Sequence, residues 1–415
     1  MAFFMGMRYR SSQQDHQPCE KITKDVQHVH RRPRRTARFH SVTLLVVILV
    51  VAILLGATLL AFLSSRNRAR ANPAGWRIWN SERHNMRRTE LGWSRRYEEE
   101  QAGSLESTSS SSDCIPSPLE ERLAMPEYGC AEMEEMLKLK FTFLGDGHWR
   151  HVYLMKFRGR DVAYKELKEE RGETRRNLER HRWEAAALEA VSNHENIVGL
   201  LGRCGADVVT EYYPFSMDNL IFGVVLDDGR MQRPEFDFRK VVGMALDTAR
   251  GLEALHEAPE GPIVHADLQP KQLLLDDEGV VKINDLNRCR FMGRDAAGRP
   301  CPVNINRANG VWRSPEEYLG GQRLTEKIDV YSMGMIFWSM LGRDVPFEKD
   351  KKQYYKDRIV DGERPDVSPH WNGDFVELFQ EMWQHDPSRR PSAGEVVKRL
   401  EDMLRALSIE SDMNK

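Results

Sequence analysis

A chain of 415 residues has room for one large domain or two ordinary ones plus tails. Its 61 Lys and Arg nearly balance 63 Asp and Glu, for a formal net charge of −2, so no bulk positive field points to nucleic acid as a partner. The six cysteines, Cys19, Cys114, Cys130, Cys204, Cys289 and Cys301, include no Cys-x-x-Cys pair, which argues against a zinc site.

Residues 1–41 carry nine Lys and Arg against three acids and read as a basic, disordered tail. Val42 to Leu63 follows as an unbroken run of 22 apolar or small residues. At about 1.5 Å per residue, such a helix crosses a hydrocarbon core of roughly 30 Å. A signal peptide would have a shorter apolar segment and a small-residue cleavage site. The run therefore predicts a single membrane-spanning helix. Lys24, Arg31, Arg32, Arg34, Arg35 and Arg38 precede it, and Arg66, Arg68, Arg70, Arg77 and Arg83 follow it. The positive-inside rule leans slightly to a cytosolic N-terminus, with the rest of the chain in a lumen or outside the cell. The absence of any Asn-x-Ser/Thr sequon weighs the other way.

Residues 64–137 read as a juxtamembrane stem. It is basic and Trp-containing at first, then Ser-rich from Ser107 to Ser112 and acidic, a composition that suits a linker. Cys114 and Cys130 flank a short acidic stretch in it; they either pair in an oxidising compartment or stand as unrelated thiols. From about Lys138 the pattern changes. Phe141–Leu144 and His151–Leu154 read as strands joined at Gly145-Asp146-Gly147, Asp161–Lys165 as the next strand, and Arg176–Val191 as a helix. After Leu273, helical patterns dominate, at Glu326–Leu341, Asp374–Trp383 and Ala393–Leu407. The last has apolar residues at Val396, Val397, Leu400, Met403, Leu404 and Leu407. A globular domain is thus expected over 138–406, with 407–415 as a tail.

Two aspartates carry the chemistry. Asp267, in His265-Ala266-Asp267-Leu268-Gln269-Pro270-Lys271-Gln272, and Asp285, in Lys282-Ile283-Asn284-Asp285-Leu286-Asn287, stand eighteen residues apart, each after a short apolar run. Between them, Leu273-Leu274-Leu275, a turn at Asp276–Gly279 and Val280–Ile283 read as a hairpin. One carboxylate that orients a hydroxyl and another that holds Mg²⁺ are what a nucleotide-using phosphotransferase needs. Upstream lie a Gly-rich hairpin, Leu144-Gly145-Asp146-Gly147-His148-Trp149-Arg150-His151-Val152, then Val162-Ala163-Tyr164-Lys165, and then Glu184 ten residues before His194-Glu195-Asn196-Ile197-Val198. Downstream lie Ser314-Pro315-Glu316, Asp329-Val330-Tyr331-Ser332-Met333-Gly334 and Asp386-Pro387-Ser388-Arg389-Arg390-Pro391.

In this order and spacing, the motifs resemble the eukaryotic protein-kinase family. The finer likeness is to tyrosine-kinase-like sequences of algae and diatoms. The resemblance implies an α+β bilobal kinase fold, with a small β-rich N-lobe and a larger helical C-lobe. It implies ATP as nucleotide, Mg²⁺ or Mn²⁺ as ion, and a protein hydroxyl, of Ser or Thr, as acceptor. Lys165 would hold the α/β-phosphates and pair with Glu184, for which Glu189 is the rival. Gly145 and Gly147 would cover the phosphates. Val152, Ala163 and Leu274 would pack on the nucleotide, and Thr210, Glu211 and Tyr212 would form the hinge that binds adenine. Asp267 would orient the acceptor. Asp285 and Gln272 would hold the metal, with Gln272 in place of the family's asparagine, so that one ion binds tightly and one weakly.

Other departures from the family pattern bear on activity. Arg150 replaces the third glycine and is expected above the phosphates. Ala266 replaces the arginine that receives an activation-loop phosphate. Gln269 replaces the catalytic-loop lysine. Asp329 would hold the catalytic-loop backbone, and Glu316 would pair with Arg390. The reading is a membrane-anchored protein kinase. The alternatives are a membrane-anchored pseudokinase scaffold and a lumenal kinase acting on a glycan or secreted protein.

Overall fold

The computed structural model describes residues 114–115, 126–168, 174–225, 230–235, 237–259, 261–305, 309–320, 323–347 and 354–413. The basic tail, the apolar run 42–63 and most of the stem lie outside these residues. Among the described residues, no helix is long and apolar enough to cross a membrane.

A two-residue strand, β1 (Cys114–Ile115), comes first, and helix α1 (Cys130–Met136) follows. The N-lobe sheet contains β2 (Phe141–Asp146), β3 (Arg150–Phe157), β4 (Arg160–Leu167), β5 (Leu200–Cys204) and β6 (Asp207–Glu211), in spatial order β2-β3-β4-β6-β5. All its pairings are antiparallel. Helix α2 (Arg175–Ala190) runs between β4 and β5. Its Ala185-Ala186-Ala187-Leu188 run favours helix, and His181, Glu184, Ala185 and Leu188 form a buried stripe at helical spacing.

The domain starts earlier than the expected boundary at 138. Tyr128, Met133 and Met136 are buried against Met155, Phe157, Tyr164, Leu201 and Val209 of the sheet. Met133 and Met136 are three apart and share one face of α1; full burial of each contributes about 1.5–3 kcal/mol. Tyr128 accepts and donates backbone hydrogen bonds with Arg203 and Leu201. Gly202 is needed there, because a Cβ would lie 2.9 Å from the Tyr128 carbonyl oxygen. The end of the stem is therefore part of the N-lobe core.

Beyond the hinge come β7 (Phe215–Ser216), α3 (Met217–Phe222), and the short pair β8 (Val224–Val225) and β9 (Met231–Gln232). Helix α4 (Phe238–His256) is capped by the Asp237 carboxylate, which accepts from Lys240 N at 2.8 Å. It carries the chain to β10 (Ile263–Val264) and to the hairpin of β11 (Leu273–Leu275) and β12 (Val281–Ile283). Gly251 lets α4 approach this hairpin, since a Cβ would sit 2.6 Å from Asn196 O and about as close to Ile283 as a contact allows. Strands β13 (Arg290–Phe291) and β14 (Arg294–Asp295) follow.

The rest is helical: α5 (Pro315–Leu319), α6 (Lys327–Gly342), α7 (Tyr354–Val360), α8 (Gly373–Met382) and α9 (Ala393–Met413). Helix α6 is buried almost throughout and centres the C-lobe core with Leu252, Phe375 and Phe379. Helix α9 runs to Met413, so the expected tail from 407 is largely helical.

Candidate active site

The N-lobe half is set by strand register. Lys165 on β4 pairs with Val152 on β3, and Ala163 pairs with Thr210 on β6. Lys165 Nζ lies 3.3 Å from Glu184 Oε1 and also donates to Asn284 Oδ1 at 2.8 Å. Glu184, not Glu189, is the carboxylate brought to the lysine.

Arg150 does not lie above the phosphates as expected. Its guanidinium is buried, 2.7 Å from Glu184 Oε2, and donates to Ala206 O at 2.9 Å. The reason is the pleat: Arg150 and Val152 face the same side of β3, where Glu184 offers a second oxygen. Burial opposes ionisation of Glu184, but Arg150 and Lys165 together outweigh it and hold the carboxyl below its usual range. His181, one turn earlier on α2, is pushed down to about 3 by burial and by Arg150, so it is neutral.

The rim is formed by Gly145, beside a bulge in β2, and Gly147, whose N–H donates to Arg150 O at 2.9 Å. Asp146 between them is held below the usual range, first by its hydrogen bond with Lys168. At the hinge Thr210 is buried and donates to Glu211 O at 3.2 Å. The Glu211 carboxylate accepts from Arg160 at 2.5 Å, Gly199 N at 3.1 Å and Tyr213 Oη at 2.6 Å, which fixes the turn at half-buried Tyr212. Leu274 is half-buried on β11, opposite Lys282 and Ser216.

In the C-lobe, Asp329 in the first turn of α6 accepts from His265 N at 2.7 Å and Ala266 N at 2.9 Å, and meets His256 Nε2 at 3.1 Å. This carboxylate sets the catalytic-loop backbone. Ala266 sits at φ +60° and Asp285 at φ +64°, a left-handed conformation that non-glycine residues adopt mainly where the surroundings enforce it. His265 is fully buried, and burial lowers its pKa, so the ring is neutral. Its Nδ1 accepts from Asp267 N at 3.1 Å, which assigns the proton to Nε2, 3.1 Å from Asn284 O. His265 thus ties the Asp267 segment to the Asp285 segment.

Asp267 Oδ1 accepts from Gln269 Nε2 at 3.2 Å and from the guanidinium of Arg313. The Asp285 carboxylate accepts from the Asn287 amide. Asn284 N donates to Gln272 O at 2.8 Å, and Leu273 pairs with Ile283, so Gln272 lies across the hairpin from the residue before Asp285. One carboxylate and one amide make no all-protein metal cage, and among the described residues no cluster of three ligating side chains occurs. They fit the way Mg²⁺ binds with a nucleotide, through one or two protein oxygens plus phosphates and water.

The segment from Asp285 to Glu316 is fastened at several points. Strand β13 pairs with β10, and Val303 bridges to Leu324. Arg390 holds Glu316 with a two-pronged pair at 2.6 and 2.9 Å. Ser332 Oγ donates to Trp312 O at 2.7 Å. The stem adds more: β1 pairs antiparallel with β14, and Cys114 forms a disulfide with Cys301, with Cα atoms 6.2 Å apart. Cys130 is bonded to Cys204, fixing α1 to β5. The possible Cys114–Cys130 pairing is thereby excluded; each cysteine instead reaches a partner on the folded domain. Cys289 is buried and free.

Sequence reasoning missed Arg313, Asn284 and the two cross-links. Nothing in the spacing of the cysteines marks their partners, and Arg313 looks like any residue preceding Ser314-Pro315-Glu316.

Comparison with known proteins places the chain in a family. Residues 140–400 match the family model of the protein kinase domain. The chain is 30% identical over 282 residues to the dual specificity protein kinase shkD of Dictyostelium discoideum, covering 65% of this chain and 35% of that protein. It is 26% identical over 298 residues to a serine/threonine-protein kinase of Arabidopsis thaliana, covering 70% and 49%. It is 28% identical over 287 residues to mitogen-activated protein kinase kinase kinase 7 of Bos taurus, covering 67% and 45%. The chain thus spans less than half the length of each of these relatives. With 261 consecutive residues matched to that model, on a fold that pairs Lys165 with Glu184 and ties the Asp267 segment to the Asp285 segment through His265, the chain belongs to the protein kinase family.

Proposed function

We propose that this chain is a membrane-anchored protein kinase of the tyrosine-kinase-like type, in its algal and diatom variant, transferring the γ-phosphate of ATP to serine or threonine hydroxyls of proteins. The observation that carries transfer is the state of Asp267. One oxygen is held by Gln269 and Arg313, while no partner among the described residues engages Oδ2. That oxygen is available to accept the proton of a substrate hydroxyl. Lys165, aligned by Glu184, binds and orients the nucleotide phosphates. Asp285 and Gln272 would hold Mg²⁺ or Mn²⁺, which when bound neutralises phosphate charge.

The catalytic domain is assigned to an oxidising compartment. Two disulfides link four of the six cysteines, and such bonds persist where thiols are not kept reduced. The charge lean around residues 42–63 agrees. The substrates in this reading are lumenal or secreted proteins, with a glycan acceptor as the variant. A pseudokinase scaffold is the second reading, favoured because Glu184 lies nearer to Arg150 than to Lys165 and Lys165 also bonds the Asn284 amide.

The test uses the full chain in sealed vesicles. Protease protection reports the side of the domain, and turnover of ATP on a mixed peptide library reports transfer. Asp267→Asn should lower transfer by about 10²–10⁴-fold, with ATP binding retained. A wild-type protein that binds ATP but transfers nothing would establish the scaffold. A fully active Asp267→Asn would refute the role of Oδ2.

A further inference from the structure

The buried cation that contacts Asp267 is Arg313. Its side chain is 6% exposed and comes from the segment just before α5, yet it reaches the catalytic loop. One guanidinium nitrogen donates to Asp267 Oδ1. The other donates to Ala266 O at 2.5 Å and lies 3.4 Å from Glu317 Oε1. Gln269 Nε2 converges on the same Oδ1 atom. Among the described residues, no other cation contacts Asp267; Lys271, the nearest in sequence, is exposed.

A carboxylate that must take a proton in the transition state needs one oxygen fixed and the other free. Gln269 offers Oδ1 a neutral donor on a flexible side chain. Arg313 offers a charged donor on a rigid fork, and charge-assisted hydrogen bonds are roughly twice as strong as neutral ones. The fork also donates to Ala266 O, next to a left-handed φ, and Arg288 Nε donates to the same carbonyl at 3.3 Å. The strained turn that aims Asp267 is therefore held from the segment that precedes α5.

We infer that Arg313 is the positioning residue for Asp267: it fixes Oδ1 so that Oδ2 faces the substrate hydroxyl, and it supplies the cation that position 269 lacks. This rests on the protein-kinase reading above. The competing role is purely structural, since Glu317 also accepts from Ser314 N at 2.8 Å and Ser314 Oγ at 2.9 Å, and Arg313 completes that cap.

The experiment measures kcat, KM for ATP and melting temperature of the full chain. Arg313→Met should lower kcat by about 100-fold, the scale of a misplaced reacting group, with KM for ATP changed little. Arg313→Lys should lie between the two. Because Arg313→Met also removes the contact to Glu317, the deciding variant adds Gln269→Lys to it. That double variant should recover kcat by about tenfold or more while its melting temperature stays at that of Arg313→Met, since only a lost positioning charge can be replaced from position 269. A wild-type kcat in Arg313→Met, or no recovery in a folded double variant, overturns the inference alone. A wild-type chain that binds ATP without transfer overturns the protein-kinase reading and this inference with it.

Discussion

Removing the Cys114–Cys301 bridge, by Cys114→Ser, tests how the stem serves the domain. The two cysteines are 187 residues apart in sequence, and the Cys130–Cys204 bridge, 74 residues apart, lies inside that span. The outer bridge therefore closes a loop shortened by the inner one. Loop-closure entropy for a loop of this order gives a ceiling of about 5 kcal/mol, and native bridges typically contribute about 2–4 kcal/mol. The β1–β14 pair that the bridge supports is only two residues long and cannot persist without it. Unfolding in the variant should thus begin at residues 294–301, a local opening rather than a global one. The expected loss of 2–4 kcal/mol corresponds to a fall of roughly 5–15 °C in melting temperature for a domain of this size. The assay is thermal unfolding with and without reductant, with hydrogen exchange across 290–303 and an unreduced digest to map the linkages. Reductant opens both bridges and should bring the wild type to or below the variant without reductant. A digest that links Cys114 to Cys130, or an unchanged melting temperature in the variant, would refute the reasoning.

Two further outcomes follow from the buried charges. Arg150→Met should destabilise the N-lobe by about 3 kcal/mol, the low end for a broken buried pair because Lys165 remains on Glu184; denaturant titration checks it, and a loss under about 1 kcal/mol would show Arg150 to be dispensable. His181 is held at about 3 in the folded domain, so below pH 6.5 the unfolded chain binds more protons and stability falls as pH falls. The loss runs from the ordinary histidine range down to about pH 3, with a slope of up to about 1.4 kcal/mol per pH unit. His181→Leu should flatten urea-unfolding free energies between pH 7 and 4.5, and an unchanged slope would remove His181 as the cause.

Much of the fold was legible because its signals are local. The short strand-forming runs at 151–154 and 161–165, a Gly-rich turn between strands and helical spacing in 393–407 depend on nearest neighbours in sequence. The pairing of Glu316 with Arg390 and the grip of Asp329 on the catalytic loop could be read from motif order, since those residues stand at fixed places within recurring elements. The stem boundary was not legible. Residues 126–137 are rich in charge, and only the sheet against which Met133 and Met136 pack reveals them as core.

What the sequence determined by itself was the family layout and the residue types at the phosphate-handling positions, because those are set by order and spacing along the chain. The tertiary structure decided which oxygen or sulfur each side chain reaches. Arg150 turned inward to Glu184 because the pleat of β3 faces it there, and a buried carboxylate gains from a second cation. Arg313 came to Asp267 from 46 residues away, and Cys114 to Cys301 from 187. Such contacts are made by segments with no sequence proximity, so their geometry exists only once the lobe that holds them has packed.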